Sequence, residues 1–189
     1  MTELLQFDQS LFYLINTVWT SDWLDLVMPY WRNKYFWTPF YIFLISFLWI
    51  NYNKKGLFLV LFAILTIAVA DTMSSQVIKK TVRRIRPCND PLMNGFVEVK
   101  IACGGGYSFT SSHATNHFAL AFFLIFTIGK RFRLFKWLLF FWAFSVAYGQ
   151  VYVGVHYPFD VIVGALLGIS IGTVTSVFYG SFKDLQFDI

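Results

Sequence analysis

Apolar residues run through this chain in blocks long enough to cross a bilayer, and polar residues gather at the block edges. The first stretch differs. Over residues 4–31, Leu11, Phe12, Ile15, Val18 and Trp19 share one helical face while Asp8, Gln9 and Asn16 fall off it, and Asp22, Asp25 and Pro29 interrupt the remainder. This predicts amphipathic helices lying at the membrane interface over 1–35, with a poorly hydrophobic sixth span as the alternative. Five spans are expected after it, near 36–52, 57–79, 113–128, 134–150 and 158–179. The predicted fold is therefore all-α: an integral membrane helical bundle over 36–180, followed by a tail at 181–189.

The connections fix a topology. Asn53-Lys54-Lys55-Gly56 and Gly129-Lys130-Arg131-Phe132-Arg133 are short basic turns, whereas the loop at 82–112 is long, a length that is usually functional. Five alternating spans put the long loop and the connection carrying His156 at one face, and both basic turns at the other. Lys79, Arg86, His113, His156 and Asp160 thereby share a membrane face, with or without a sixth span. Gly164, Gly168 and Gly172 recur at every fourth position of the last span, a ridge of small residues suited to close helix packing.

Composition agrees. Of 189 residues 57% are hydrophobic and only 13% charged, against roughly 45–50% and about 25% in a soluble domain. The net charge of +5 would suit nucleic acid if it formed a solvated stripe, but the cations sit in loops between apolar runs, so no nucleic-acid partner is expected. The N-terminus lacks the basic flank and small-residue cleavage site of a secretory signal. Lys54, Lys55, Lys130, Arg131, Arg133 and Lys136 crowd the short turns and mark them as cytoplasmic. The opposite side carries Arg32, Lys34, Lys79, Lys80, Arg83, Arg84, Arg86 and Lys100. Cys88 and Cys103, the two cysteines, both lie in the long loop, where outside the cytosol they can close a disulfide worth ~3 kcal/mol. Together these favour an extracytoplasmic site in a bacterial inner membrane.

Ionisable groups at the edge of a hydrocarbon layer are expensive to keep and are usually functional. Here they are two imidazoles, a carboxylate and fixed cations, a set suited to taking a phosphoryl group from an anionic substrate. Lys79 and Arg86 supply permanent charge, and arginine can bind two oxygens at once. Gly104-Gly105-Gly106 leading to Ser111-Ser112-His113 at a helix start offers backbone N–H groups to an anion, or a turn capped by serine. His156 with Asp160 four residues on suits a nucleophile or base held by a carboxylate, or a structural hydrogen bond. Asp71, within a span, should find a partner in Lys79, Arg86 or Ser75 and serve as support. His113 and His117 have the spacing of a metal pair, but His-Glu-x-x-His is missing, so no metal or cofactor is expected and His117 is assigned to packing.

These segments together resemble the type 2 phosphatidic acid phosphatase superfamily, shared with bacterial acid phosphatases and vanadium haloperoxidases, whose motifs read K-x6-R-P, P-S-G-H and S-R-x5-H-x3-D. Lys79 through Arg86-Pro87 completes the first. Thr110-Ser111-Ser112-His113 is a partial second. Gly149-Gln150 through His156 to Asp160 keeps the histidine and aspartate of the third and loses its serine and arginine. The resemblance extends from about residue 57 to the last span. It implies that His156 attacks phosphorus and becomes a phosphohistidine oriented by Asp160, and that His113 protonates the leaving group and then activates water. Lys79, Arg86, Ser111, Ser112 and the residue at position 150 would bind phosphoryl oxygens, without a metal. Gln150 is uncharged where the family has arginine; the weaker hydrogen bond amounts to around tenfold in rate, with Arg83, Arg84 and Lys80 as candidate substitutes.

The implied function is hydrolysis of an amphiphilic lipid phosphomonoester or pyrophosphate at the headgroup level, with membrane lipids as surroundings. Phosphatidic acid, phosphatidylglycerol phosphate, lipid A and polyprenyl pyrophosphate all fit, and small size with an outward site favours undecaprenyl pyrophosphate. A lipid phosphotransferase and a non-catalytic lipid-phosphate-binding protein are the alternatives, the latter because of Gln150.

Overall fold

The computed structural model describes residues 2–130 and 133–182; Arg131 of the second basic turn and all but the first two residues of the 181–189 tail lie outside the described residues. The fold is all-α among them. Helix α1 (Thr2–Tyr13) passes through a π turn at Leu14–Val18 to α2 (Asp22–Trp31). The Ser21 hydroxyl caps α2 by accepting from the Leu24 N–H at 3.4 Å, and Asp22 and Asp25 in the first turn suit the helix dipole. These helices rise only ~18 and ~15 Å, so neither crosses a ~30 Å hydrocarbon core alone.

Helix α3 (Thr38–Asp71) contains the first basic turn. Asn53 breaks it with φ 49° and ψ −125°, and Gly56 packs against the Leu48 carbonyl so closely that a Cβ there would overlap it. Residues eight apart on a straight helix would be ~12 Å away, so the chain folds back at Asn53 into arms 38–52 and 54–71. The second arm continues through a π-helical segment, Thr72–Ile78, into the single turn α4 (Lys79–Val82). Then come the long loop, α5 (Ser112–Phe126), α6 (Arg133–Tyr152) and α7 (Pro158–Gly180).

The five expected spans are thus all helical, but three helical stretches have the length and composition to cross a membrane: the one starting at Thr38, α6 and α7. The two arms of α3 belong to one of these, and α5 has 15 residues, rising about 22 Å. Helix α5 is also the most enclosed, with the successive residues Phe118, Ala119, Leu120 and Ala121 buried all the way round it. It packs on α7 through the glycine ridge: a Cβ on Gly168 or Gly172 would run into the backbone oxygens of Thr115 and Ala119. Outward, Phe43, Ile50, Leu134, Phe141, Leu166 and Val177 are exposed, an apolar belt on the scale that marks a lipid-facing surface.

Two apolar clusters organise the interior. The larger fills the bundle around Leu59, Phe118, Phe123, Leu139 and Tyr179. The second gathers Phe12 and Ile15 from the N-terminal segment against Tyr152, Val153, Val155 and Tyr157. Asn16, fully buried, donates to the carbonyls of Glu98 and Tyr152 at 2.9 and 2.8 Å and accepts from the Glu98 N–H. The residues before α3 therefore close over the end of the bundle where the long loop and the His156 connection meet.

Candidate active site

Helix α6 ends at Tyr152, and Gly154, at φ +88°, turns the chain back so that the N–H groups of Val155 and His156 both donate to the Gln150 carbonyl at 3.2 Å. Pro158 at the first position of α7 and a capping box begin the next helix: the Asp160 carboxylate accepts from the Tyr157 N–H at 2.9 Å. The same carboxylate lies 3.5 Å from His156 Nδ1 and accepts from the Ser108 hydroxyl, which is itself 3.4 Å from Nδ1. With Nδ1 held there, Nε2 faces the cations and accepts from Arg86 Nη1 at 3.3 Å.

His156 is 2% exposed and Asp160 wholly buried. Burial, joined by the charges of Lys79 and Arg86, pushes the His156 imidazole down to about 4, while Asp160 pulls the other way. A neutral ring at neutral pH is what a nitrogen nucleophile requires.

Around this pair the cations divide into two kinds. Arg84 is neutralised: Nη1 meets Asp160 at 2.9 Å, Nη2 meets Asp8 at 2.6 Å, and the guanidinium stacks 4.0 Å from the Tyr157 ring centre. Burial opposes its charge, but the two carboxylates overcome this and hold Arg84 above the usual arginine range. Asp8 in turn accepts from the Phe159 N–H at 2.9 Å. Lys79 and Arg86 form no ion pair within the described residues; Lys79 donates to the Tyr107 carbonyl at 3.2 Å and Arg86 to that of Val155 at 3.2 Å.

Helix α5 brings the other histidine. Its cap is Ser111, whose hydroxyl accepts from the Ala114 N–H and whose own N–H donates to the Asp160 carbonyl at 2.9 Å. That bond fixes the start of α5, and hence His113, to the start of α7. The Ser112 hydroxyl is 2.8 Å from that of Ser75, which donates to Asp71. Asp71 also accepts from Asn116 at 3.0 Å; of its three expected partners only Ser75 is hydrogen-bonded to it among the described residues. His117 turns Nδ1 to the His113 carbonyl at 2.8 Å and packs against Trp142, the rings tilted by 54°. Gly104–Gly106 lie exposed, with open space beside each. Among the described residues no three His, Cys, Asp or Glu side chains are placed to hold a metal.

Known proteins share this sequence pattern and this fold. The sequence signature of the PAP2 superfamily matches residues 56–184. The chain belongs to the PAP2 superfamily. It is a membrane lipid phosphatase of that group, in agreement with the resemblance carried by Lys79, His113 and His156. It is 36% identical over 167 residues to a lipid A 4'-phosphatase of Bacteroides thetaiotaomicron, covering 85% of this chain and 72% of that one. It is 32% identical to an undecaprenyl-diphosphatase of Sulfolobus acidocaldarius, covering 86% and 73%. Among solved structures, Aquifex aeolicus LpxE superimposes with a TM-score of 0.65 at 28% identity over 88% of this chain and 93% of that one. A PAP2-type phosphatidylglycerolphosphate phosphatase from Bacillus subtilis shares the fold with a TM-score of 0.73 at 20% identity, over 96% and 88%.

Of the departures from the family motifs, at Thr110, Ser112, Gly149 and Gln150, only the one at position 150 removes a charge. Gln150 is fully buried, and its amide donates to the Val146 carbonyl of its own helix at 3.4 Å. Its backbone carbonyl anchors His156, and its side-chain Oε1 is buried without a hydrogen-bond partner. Of the expected substitutes, Arg84 is committed to two carboxylates and Arg83 donates to the Lys80 carbonyl at the exposed end of α4. Asp8, Ser108 and Arg32 are neighbours of the site that sequence reasoning did not single out. Asp8 and Arg84 are 76 residues apart in the chain, and only the off-face position of Asp8 on a greasy helix signalled that it has a partner.

Proposed function

We propose that this chain hydrolyses a phosphomonoester on a sugar-bearing lipid of the lipid A type, at the extracytoplasmic face of a bacterial inner membrane. The 36% identity to a lipid A 4'-phosphatase over most of both chains carries the substrate class. A cavity of about 250 Å³ supports it: Lys34, Asp71, Ser112, His113, Asn116 and Trp142 line it. Its walls include the buried Asn116 Oδ1, His117 Nε2 and Trp142 Nε1, which lack hydrogen-bond partners. A hydroxyl-rich leaving group beside His113 would satisfy such atoms, whereas a bare polyprenyl chain would not.

In this reading His156 Nε2 attacks phosphorus, and the bond from phosphorus to the lipid oxygen breaks as His113 gives that oxygen a proton. Asp160 and Ser108 hold Nδ1 and its proton. His113 then takes a proton from water, the water oxygen attacks the phosphohistidine, and inorganic phosphate leaves with His156 restored. Lys79, Arg86 and the free N–H groups at the start of α5 stabilise the charge on the phosphoryl oxygens.

With five crossings, two by the arms of α3 and one each by α5, α6 and α7, all these groups share one end. The disulfide between Cys88 and Cys103, with Cα atoms 6.0 Å apart, favours the oxidising side of the membrane for that end. The 32% identity to an undecaprenyl-diphosphatase supports a second reading, cleavage of a polyprenyl pyrophosphate. Phosphate release by purified protein from lipid A and from undecaprenyl pyrophosphate separates them. Higher kcat/KM on lipid A is expected; higher kcat/KM on the pyrophosphate would transfer the assignment.

A further inference from the structure

We infer that Arg32, from the end of α2, is the third phosphate-binding cation of the site and takes up the charge that position 150 does not carry. Arg32 caps the C-terminus of α2, its N–H bonded to the carbonyls of Met28 and Tyr30. Its neighbours are pinned: Trp31 Nε1 donates to Ser145 of α6 at 2.9 Å, and Trp37 Nε1 to the Trp31 carbonyl at 2.8 Å. The side chain then lies along α6 at Gly149, where a Cβ would come 3.2 Å from Arg32 Cβ and 4.0 Å from its Cγ. A serine at 149 would crowd that stem. The missing side chain at 149 and the missing charge at 150 are adjacent in the chain, and Arg32 packs against the first.

The guanidinium end lies within electrostatic reach of Arg86 and of His113. Lys34, two residues on, lines the cavity that His113 lines. Yet Arg32 makes no side-chain hydrogen bond and no ion pair within the described residues, and its Nε is buried without an acceptor. Arg86 Nε and Thr110 Oγ1, also at the site, are in the same condition. Burial, then the charge of Arg86, lowers the Arg32 guanidinium to about 10, which still leaves it cationic at neutral pH.

Enclosed like charges without a carboxylate between them are costly, and buried polar groups normally have partners. Arg84 shows what a structural arginine looks like in this protein: two carboxylates at 2.6 and 2.9 Å. Arg32, Lys79 and Arg86 lack this and converge around His156 and His113. An anion with several oxygens, a phosphoryl group, is the ligand that satisfies three such cations together.

The inference rests on the phosphatase reading for its place in turnover, but not for anion binding. The test uses full-length protein purified in detergent, as wild type and as Arg32→Gln, Arg32→Lys and His156→Ala. Two quantities are read: kcat/KM on a lipid phosphomonoester, and the affinity for inorganic phosphate, from the shift in Tm as phosphate is added. Arg32→Gln should lose about tenfold in both, with an unchanged Tm in the absence of phosphate. Arg32→Lys should recover part of each. Phosphate affinity and turnover that stay at wild-type levels in Arg32→Gln would overturn the inference. So would equal losses in the Gln and Lys variants accompanied by a fall in the phosphate-free Tm, which is the mark of a docking role for α2. If His156→Ala turned over like wild type, the catalytic reading would fail, while phosphate affinity would still decide the role of Arg32.

Discussion

Four groups converge on the Asp160 carboxylate: the His156 ring, the Ser108 hydroxyl, the Arg84 guanidinium and the Tyr157 N–H. A buried anion so surrounded stays ionised and holds His156 in one tautomer. Arg84 is what allows two buried carboxylates to coexist, so Arg84→Ala should destabilise the protein by about 3 kcal/mol, read as a clear fall in Tm with or without phosphate. The His156 imidazole gives the pH dependence. Its folded value of about 4 lies below the ordinary 6.5, so the unfolded chain binds the extra proton first as pH falls. Stability contributed by this group is complete above pH 6.5 and declines as pH falls towards 4. For the same reason the acid limb of kcat/KM assigned to His156 should lie near pH 4; a limb at 6.5 would place the imidazole in a more solvated setting than the one described.

At the scale of elements, the contact between α5 and α7 sets the distance between the two histidines. Gly168 lies against the backbone of Thr115 and Ala119, so Gly168→Leu must push the helices apart. Overpacking of this kind costs about 1–3 kcal/mol, and kcat should fall with it because His113 shifts relative to His156. Gly104→Ala, with open space around it, should change Tm and kcat negligibly. Periodicity made these helices legible: the glycine ridge and the apolar runs report on neighbours three and four residues away. It also located Lys79, Arg86, His113, His156 and Asp160, because each stands at the edge of a run. It marked the turn at 53–56 as well, where the chain folds back, but it could not reveal that Asp8 reaches Arg84, since partners 76 residues apart leave no mark on local spacing. Gln150 was legible as a departure; Arg32, which stands nearby, was visible only as one cation among eight on its side.

For the whole molecule, the N-terminal segment and the long loop together close the end of a lipid-facing bundle. Tyr152 donates to Asp25 at 2.5 Å, and Lys100 bridges Asp25 and Glu98 at 2.8 and 2.9 Å, tying segment to loop. The disulfide restrains the same loop. Reduction, or Cys88→Ser with Cys103→Ser, should remove about 3 kcal/mol and lower Tm, with the site loop opening first. In cells, thiol reagents that do not cross membranes should label Cys88 once its partner is replaced by serine; protection there, with labelling only after lysis, would reverse the proposed sidedness.

The central claim is that His156 carries the phosphoryl group between the lipid and water. Purified protein mixed with a lipid monophosphate bearing a labelled phosphoryl group, quenched in alkali within a turnover and digested, tests it directly. Label is expected on the peptide containing His156, and none in His156→Ala. Label on any other residue, or phosphate release by wild type with no labelled peptide at any time, would contradict it.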